Sequence, residues 1–176
     1  MHDDFSAQHS ADLAQGNHAG TAPVDIAFVR AGARELYAKG QDDFLAPATC
    51  QSAGMDLRAC LDVPEALIPA GGRLKVSTGI SVQPRAVGIA GFVYSRSGLG
   101  ARDGITVAQG VGIIDPDYTG EILVFLLNTS GHDRRIQNGE RVAQLIFQPY
   151  VRPRWREVTE LSATERGSGG FGHTGR

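Results

Sequence analysis

Asp115 follows an apolar pair, Ile113 and Ile114, and precedes Pro116, Asp117 and Tyr118. An aspartate in such a turn ordinarily bonds its own backbone. Set between apolar residues and an aromatic ring, the same carboxylate can instead sit in a walled pocket, orient a water and take its proton. Arg96-Ser97-Gly98 puts a guanidinium, a hydroxyl and a permissive backbone side by side. Those groups suit a phosphate, and a helix starting there would add free N–H donors. Taken alone, the tripeptide reads as a serine cap beside a surface arginine. Gln144 lies inside the apolar run from Val142 to Phe147. Alternation puts it on the face of Val142 and Ile146, so its amide needs a partner, either a nearby loop or a ligand.

A second arginine and a ring lie further on. Arg166 precedes Gly167-Ser-Gly-Gly-Phe-Gly172, whose one aromatic is Phe171. The string matches GxGxxG in form only, because no strand precedes it and no helix follows. It also lacks the Gly-Lys-Ser/Thr ending of a P-loop. What remains is a glycine-rich arm with a guanidinium suited to phosphate and a ring suited to a base.

Short strands must position these groups. Strands are predicted at Val24 to Val29, at Met55 to Ala59 (Met55, Leu57 and Ala59 on one face) and at Leu74 to Val82, broken near Thr78-Gly79. Further strands are predicted at Gly88 to Tyr94, Ile105 to Val107, Glu121 to Leu127 and Val142 to Tyr150. The stretch from Asp115 to Gly120 reads as a hairpin connection. Helical turns fit only around Gly32 to Ala38 and after Ser97. The spacing implies an all-β sandwich or barrel. Arg152, Arg154 and Arg156 would share one face of a solvated edge strand, and Trp155 and Phe92 read as core or subunit interface. Residues 1–23 are polar and aperiodic and read as a disordered extension, residues 24–161 as the β core, and residues 162–176 as a flexible arm.

Composition bounds the partners. The chain has 176 residues, enough for one domain with a real core. Its 23 glycines are about twice the roughly 7% usual share, as a fold with many turns requires. A formal charge of −2 argues against a general nucleic-acid or membrane-surface binder. Cys50 and Cys60 form no CxxC pair, and the five histidines are scattered, so the chain offers no metal cage and reads as a cytoplasmic protein with reduced thiols.

Five patches in order carry more than any one alone: Ala53 to Ala59, Ser95 to Gly100, Gly110 to Glu121, Gly139 to Ile146, and Arg166 to Gly175. Together they resemble the five motifs of the trimeric dUTP diphosphatase (dUTPase) family, from about Val24 onward. The resemblance implies a jelly-roll-like β-sandwich or distorted barrel that forms a homotrimer. Its active sites would lie between subunits, each closed by a swapped C-terminal arm. It implies hydrolysis of dUTP to dUMP and pyrophosphate, which clears dUTP and supplies dUMP. By motif position, Asp115 matches the aspartate that activates water for attack on the α-phosphorus. Arg96, Ser97 and Gly98 match the phosphate loop, Gln144 a phosphate-contacting glutamine, and Tyr118 the tyrosine that packs on deoxyribose. Gly112, Ile113, Ile114 and Leu123 belong to the hairpin that reads uracil through its backbone. Arg166 matches the arm arginine that reaches the γ-phosphate, and Phe171 the ring that covers uracil. Asp56 and Arg141 would hold the site together. Mg²⁺ would be chelated chiefly by the substrate phosphates, with no direct protein ligand.

Two positions depart from the pattern. Ser95 stands where proline is common, a change that can loosen the phosphate loop without altering its chemistry. Gln109 stands where many bacterial members carry an asparagine against uracil. Two other readings compete: a dCTP deaminase of the same fold, and a non-catalytic trimer that binds nucleotide. The first is disfavoured by Asp115 and the Asp-Tyr that follows it, together with the arm. The second is disfavoured by the intact Asp115 and Arg166, since a pure binder needs no water-activating carboxylate.

Overall fold

The computed structural model describes residues 22–38, 45, 49 and 51–170. Eleven strands account for most regular structure among them: β1 (Val24–Phe28), β2 (Met55–Arg58), β3 (Glu65–Ile68), β4 (Arg73–Ser77), β5 (Ile80–Pro84), β6 (Ile89–Tyr94), β7 (Ile105–Val107), β8 (Gly112–Ile114), β9 (Leu123–Asn128), β10 (Arg134–Gln137) and β11 (Arg141–Pro149). One helical turn, α1 (Ala33–Tyr37), follows β1, and a wider one (Leu99–Asp103) follows the Arg96-Ser97-Gly98 loop. Every pairing is antiparallel. The largest sheet runs β2-β11-β6-β8 and the next β4-β9-β7, with β1-β5 and β10-β3 as two-stranded ribbons. The all-β expectation holds.

One buried cluster joins these layers. Leu57, Val93, Ile114 and Leu145 come from the four-stranded sheet, and Val76, Ile105, Val124 and Leu126 from the three-stranded one. β9 shows why alternation works, since Val124 and Leu126 point into the core while Leu123 and Phe125 point out. Tyr37 of α1 is buried too. Its hydroxyl donates to the Thr78 carbonyl at 3.1 Å and accepts the Arg58 N–H at 3.0 Å, clamping the helix to the end of β2 and to the turn after β4.

Three local expectations change. Val142 does not share the face of Gln144, because a register shift between Arg141 and Ala143 buries Val142 and Ala143 together. The segment from Asp115 to Gly120 is a turn but not a hairpin. β8 pairs with β6, whereas β9 pairs with β4 and β7, so the chain crosses there between sheets. Residues 151–158 form no strand, so Arg152, Arg154 and Arg156 share no strand face. Arg152 instead stacks its guanidinium over the Tyr150 ring at 5.7 Å. Trp155 is 90% exposed and lies outside the core. No helix among the described residues is long and apolar enough to cross a membrane.

Candidate active site

Antiparallel pairing sets Asp56 of β2 opposite Gln144 of β11, and Gln144 opposite Tyr94, the last residue of β6. Three strands therefore present one row, and the chain leaving β6 brings Ser95, Arg96, Ser97 and Gly98 over its end. The cleft so formed has a volume of about 330 Å³ and is lined by Asp56, Arg96, Ser97, Gly98 and Gln144, with Gly54 at its floor.

Its electrostatics favour an anion. Asp56 Oδ1 accepts from Arg96 Nε at 2.8 Å and Oδ2 from Arg141 Nη1 at 3.0 Å. Both oxygens of the one carboxylate lining the cleft are thus occupied, and two guanidiniums are held in fixed orientation. Arg141 reaches the cleft only through this contact. Gln144 Nε2 donates to the Ser95 carbonyl at 3.0 Å. Its amide is therefore satisfied by a loop, with the Oε1 side turned to Gly54. A Cβ on Gly54 would collide with that oxygen, so this Gln144 pose depends on glycine there. Gly54 was not singled out from the sequence. Its signal was its place two residues before Asp56.

Ser95 is held on two sides. Its hydroxyl accepts the Val107 N–H at 2.8 Å while its carbonyl holds Gln144, so the residue ties the loop to β7 and β11. Gly98, not Ser97, caps the helical turn, and no side chain bonds its end. Ser97 is exposed, and its hydroxyl makes no hydrogen bond among the described residues.

The other candidates lie elsewhere on the chain. The Tyr118 N–H donates to the Asp115 carbonyl at 3.0 Å, closing the turn that projects the Asp115 side chain. That side chain is exposed and has no ion pair or hydrogen bond among the described residues, so this chain alone builds no wall around it. Gly112, Ile113 and Ile114 form β8 beside β6, Leu123 opens β9 in the other sheet, and neither Gln109 nor Tyr118 lines the cleft. Val111, Ile113, Leu123 and Phe125 are each exposed. Ile114 pairs with Gly91 and Gln144 with Tyr94, three residues apart along β6, and β6 lies between β8 and β11. Strand rise and spacing then put the Ile114 and Gln144 backbones roughly 14 Å apart. Asp115 is one residue further away. One copy of the chain does not bring this carboxylate to its own cleft.

Arg166 does not line the cleft either. It lies in a local turn in which its Nε donates to the Gly169 carbonyl at 3.0 Å. Phe171 lies outside the described residues. A larger depression, about 500 Å³ between Leu67, Leu99, Arg134 and Ile136, holds none of the candidate residues. Its carboxylates are already engaged, Asp103 with Arg102 and Glu140 with the Gln137 N–H. No group of three His, Cys, Asp or Glu side chains gathers to hold a metal ion among the described residues.

The chain is similar to known proteins in sequence and fold. The family model described as dUTPase matches residues 41–175. A deoxyuridine 5'-triphosphate nucleotidohydrolase of Acinetobacter baumannii is 45% identical over 129 residues, 73% of this chain and 85% of that protein. One from Enterobacter sp. (strain 638) is 43% identical over 129 residues, 73% of this chain and 84% of that protein. Among solved structures, a Staphylococcus bacteriophage 80alpha dUTPase with dUPNHPP superposes with a TM-score of 0.72 at 22% identity, covering 89% of this chain and all of that one. At that identity the likeness carries the fold. The dUTPase from Streptococcus mutans gives a TM-score of 0.56 at 28% identity, covering 65% of this chain and 93% of that one.

Proposed function

The chain belongs to the dUTPase family, a hydrolase of dUTP to dUMP and pyrophosphate, and from that premise we propose that the reaction runs in a site shared between copies of the chain, with Asp115 activating the attacking water. The observation that carries this reading is the separation just described. A phosphate-type cleft lies on one part of the molecule, and an exposed carboxylate with no partner among the described residues lies on another. Each is half of a hydrolytic site, and a threefold arrangement of identical chains joins one half to the other.

In the assembled site, Arg96, Ser97 and the Gly98 backbone hold the phosphate chain, and Gln144 fixes the loop that carries them. Asp115 of another copy takes a proton from water as the oxygen attacks the α-phosphorus. The bond from that phosphorus to the bridging oxygen breaks in line, and pyrophosphate leaves. Tyr118 packs on deoxyribose, and the backbone from Gly112 to Leu123 reads uracil. Gln109 stands beside it with an amide on a longer stem. Arg166 and Phe171 come from the arm, one for the γ-phosphate and one for the base.

Magnesium fits this site as a passenger of the substrate. Asp56 has no free oxygen, and the cleft offers cationic and hydroxyl groups suited to phosphates rather than to a bare cation. Bound to the triphosphate, Mg²⁺ offsets the charge that develops on the leaving group. A buried free thiol, Cys60, supports a reducing, cytoplasmic setting. Pyrophosphate release from dUTP, with neither UTP nor dTTP processed, is the expected result of a direct assay. Release of ammonia from dCTP would contradict the reading.

A further inference from the structure

The crossing between β8 and β9 is held at several points. Ser81 Oγ donates to the Thr119 carbonyl at 2.8 Å, and Thr78 Oγ1 donates to the Ile122 carbonyl at 2.7 Å. The Gly79 N–H donates to Glu121 Oε1 at 2.8 Å, and Arg30 lies 3.8 Å from the other oxygen of that carboxylate. The backbone from Thr119 to Ile122 is therefore fixed to the turn between β4 and β5. Tyr118 folds back over this anchored stretch, and its hydroxyl donates to the Glu121 carbonyl at 2.9 Å.

Gly120 lies directly beneath the ring. A Cβ there would come within 2.5 Å of the Tyr118 hydroxyl oxygen and 2.6 Å of the ring carbon that bears it. The Gly120 φ lies outside the left-handed region, so the backbone itself would accept alanine. Glycine is needed here because the ring lies against it.

We propose that Gly120 and Glu121 are positioning residues that set the sugar-reading pose of Tyr118, Gly120 by leaving room for the ring and Glu121 by holding its hydroxyl. The inference rests on the reading that Tyr118 packs against deoxyribose. Because the backbone is pinned and Tyr118 is 43% exposed, a side chain at 120 is relieved by swinging the ring outward. The phosphate cleft and the fold are then untouched, and the change appears as lost discrimination between a 2′-hydrogen and a 2′-hydroxyl.

The experiment compares kcat/KM for dUTP and UTP in the full-length chain and in Tyr118→Ala, Gly120→Ala, the double variant and Tyr118→Phe, with Tm recorded for each. Gly120→Ala is expected to lower the dUTP-over-UTP ratio by roughly tenfold or more at nearly unchanged Tm. In the Tyr118→Ala background it should cause no further loss. Tyr118→Phe, which keeps the ring but loses the bond to Glu121, should lower the ratio by a smaller factor. If Tyr118→Ala relaxes the ratio while Gly120→Ala and Tyr118→Phe leave it at the parent value, the positioning role is overturned and the reading of Tyr118 stands. If Tyr118→Ala itself leaves the ratio unchanged, the sugar-reading role fails, and the positioning role with it.

Discussion

Two residues test the chemistry separately. Asp115 carries no structural bond through its side chain, so replacing it should cost little stability. Asp115→Asn is expected to reduce turnover of dUTP by about 10²–10⁴-fold while a non-hydrolysable analogue still binds, as titration calorimetry would show. Asp56 is the reverse case, because its carboxylate aligns two arginines and touches no reacting atom. Asp56→Asn should raise KM by about tenfold with a smaller effect on kcat, which steady-state kinetics separates. The sequence singles out both residues, but for different reasons. Asp115 gained its meaning from the apolar pair before it and Tyr118 after it. Asp56 was legible only through the motif around it, since strand alternation alone makes it a solvated charge. The role of Ser95 was not legible. Its hydroxyl meets a backbone N–H of β7, a contact twelve positions away that no local pattern announces.

Most elements were visible at the scale of strands because burial alternates along them. β9 is the clearest case, and the break at Thr78-Gly79 fell where β4 ends and β5 begins. β3 and β10 were invisible for a physical reason. Each buries a single large apolar residue, Ile68 and Ile136, among polar or exposed neighbours, and each is a strand because it pairs with the other. The bulge in β11 was equally hidden, since one extra residue reverses the face of Val142 without changing composition. The α1 clamp gives a test at this scale. Tyr37→Phe would leave the Arg58 N–H and the Thr78 carbonyl without this partner and should destabilise the fold by about 1–3 kcal/mol in urea melts. Burial also pushes the Tyr37 hydroxyl up to about 12. The folded state thus holds its proton more tightly than the unfolded chain, whose tyrosines titrate near 10. This contribution is complete below about pH 10 and is lost as pH rises toward 12. The parent should lose Tm across that window more steeply than Tyr37→Phe does.

The whole molecule explains why so exposed a chain can be a hydrolase. Val111, Ile113, Leu123 and Phe125 each expose apolar surface, and residues 151–168 are exposed and form no strand. Both features suit a chain that completes itself against copies of its own kind. Removing the chain from Arg166 onward should cripple turnover while leaving the assembly intact by light scattering, because in the proposed site the arm serves the substrate and not the core. The proposed division of labour between copies has a more direct consequence. Asp115→Asn and Ser97→Ala should each be inactive, and each keeps the half-site that the other lacks. When the two variants are unfolded together and refolded at equal ratio, about one site in four should combine an intact Ser97 cleft with an intact Asp115 from a neighbour. Pyrophosphate release from dUTP should then return to about a quarter of the parent rate. No recovery at any mixing ratio, with mixed assemblies shown by mass, would contradict a site shared between copies.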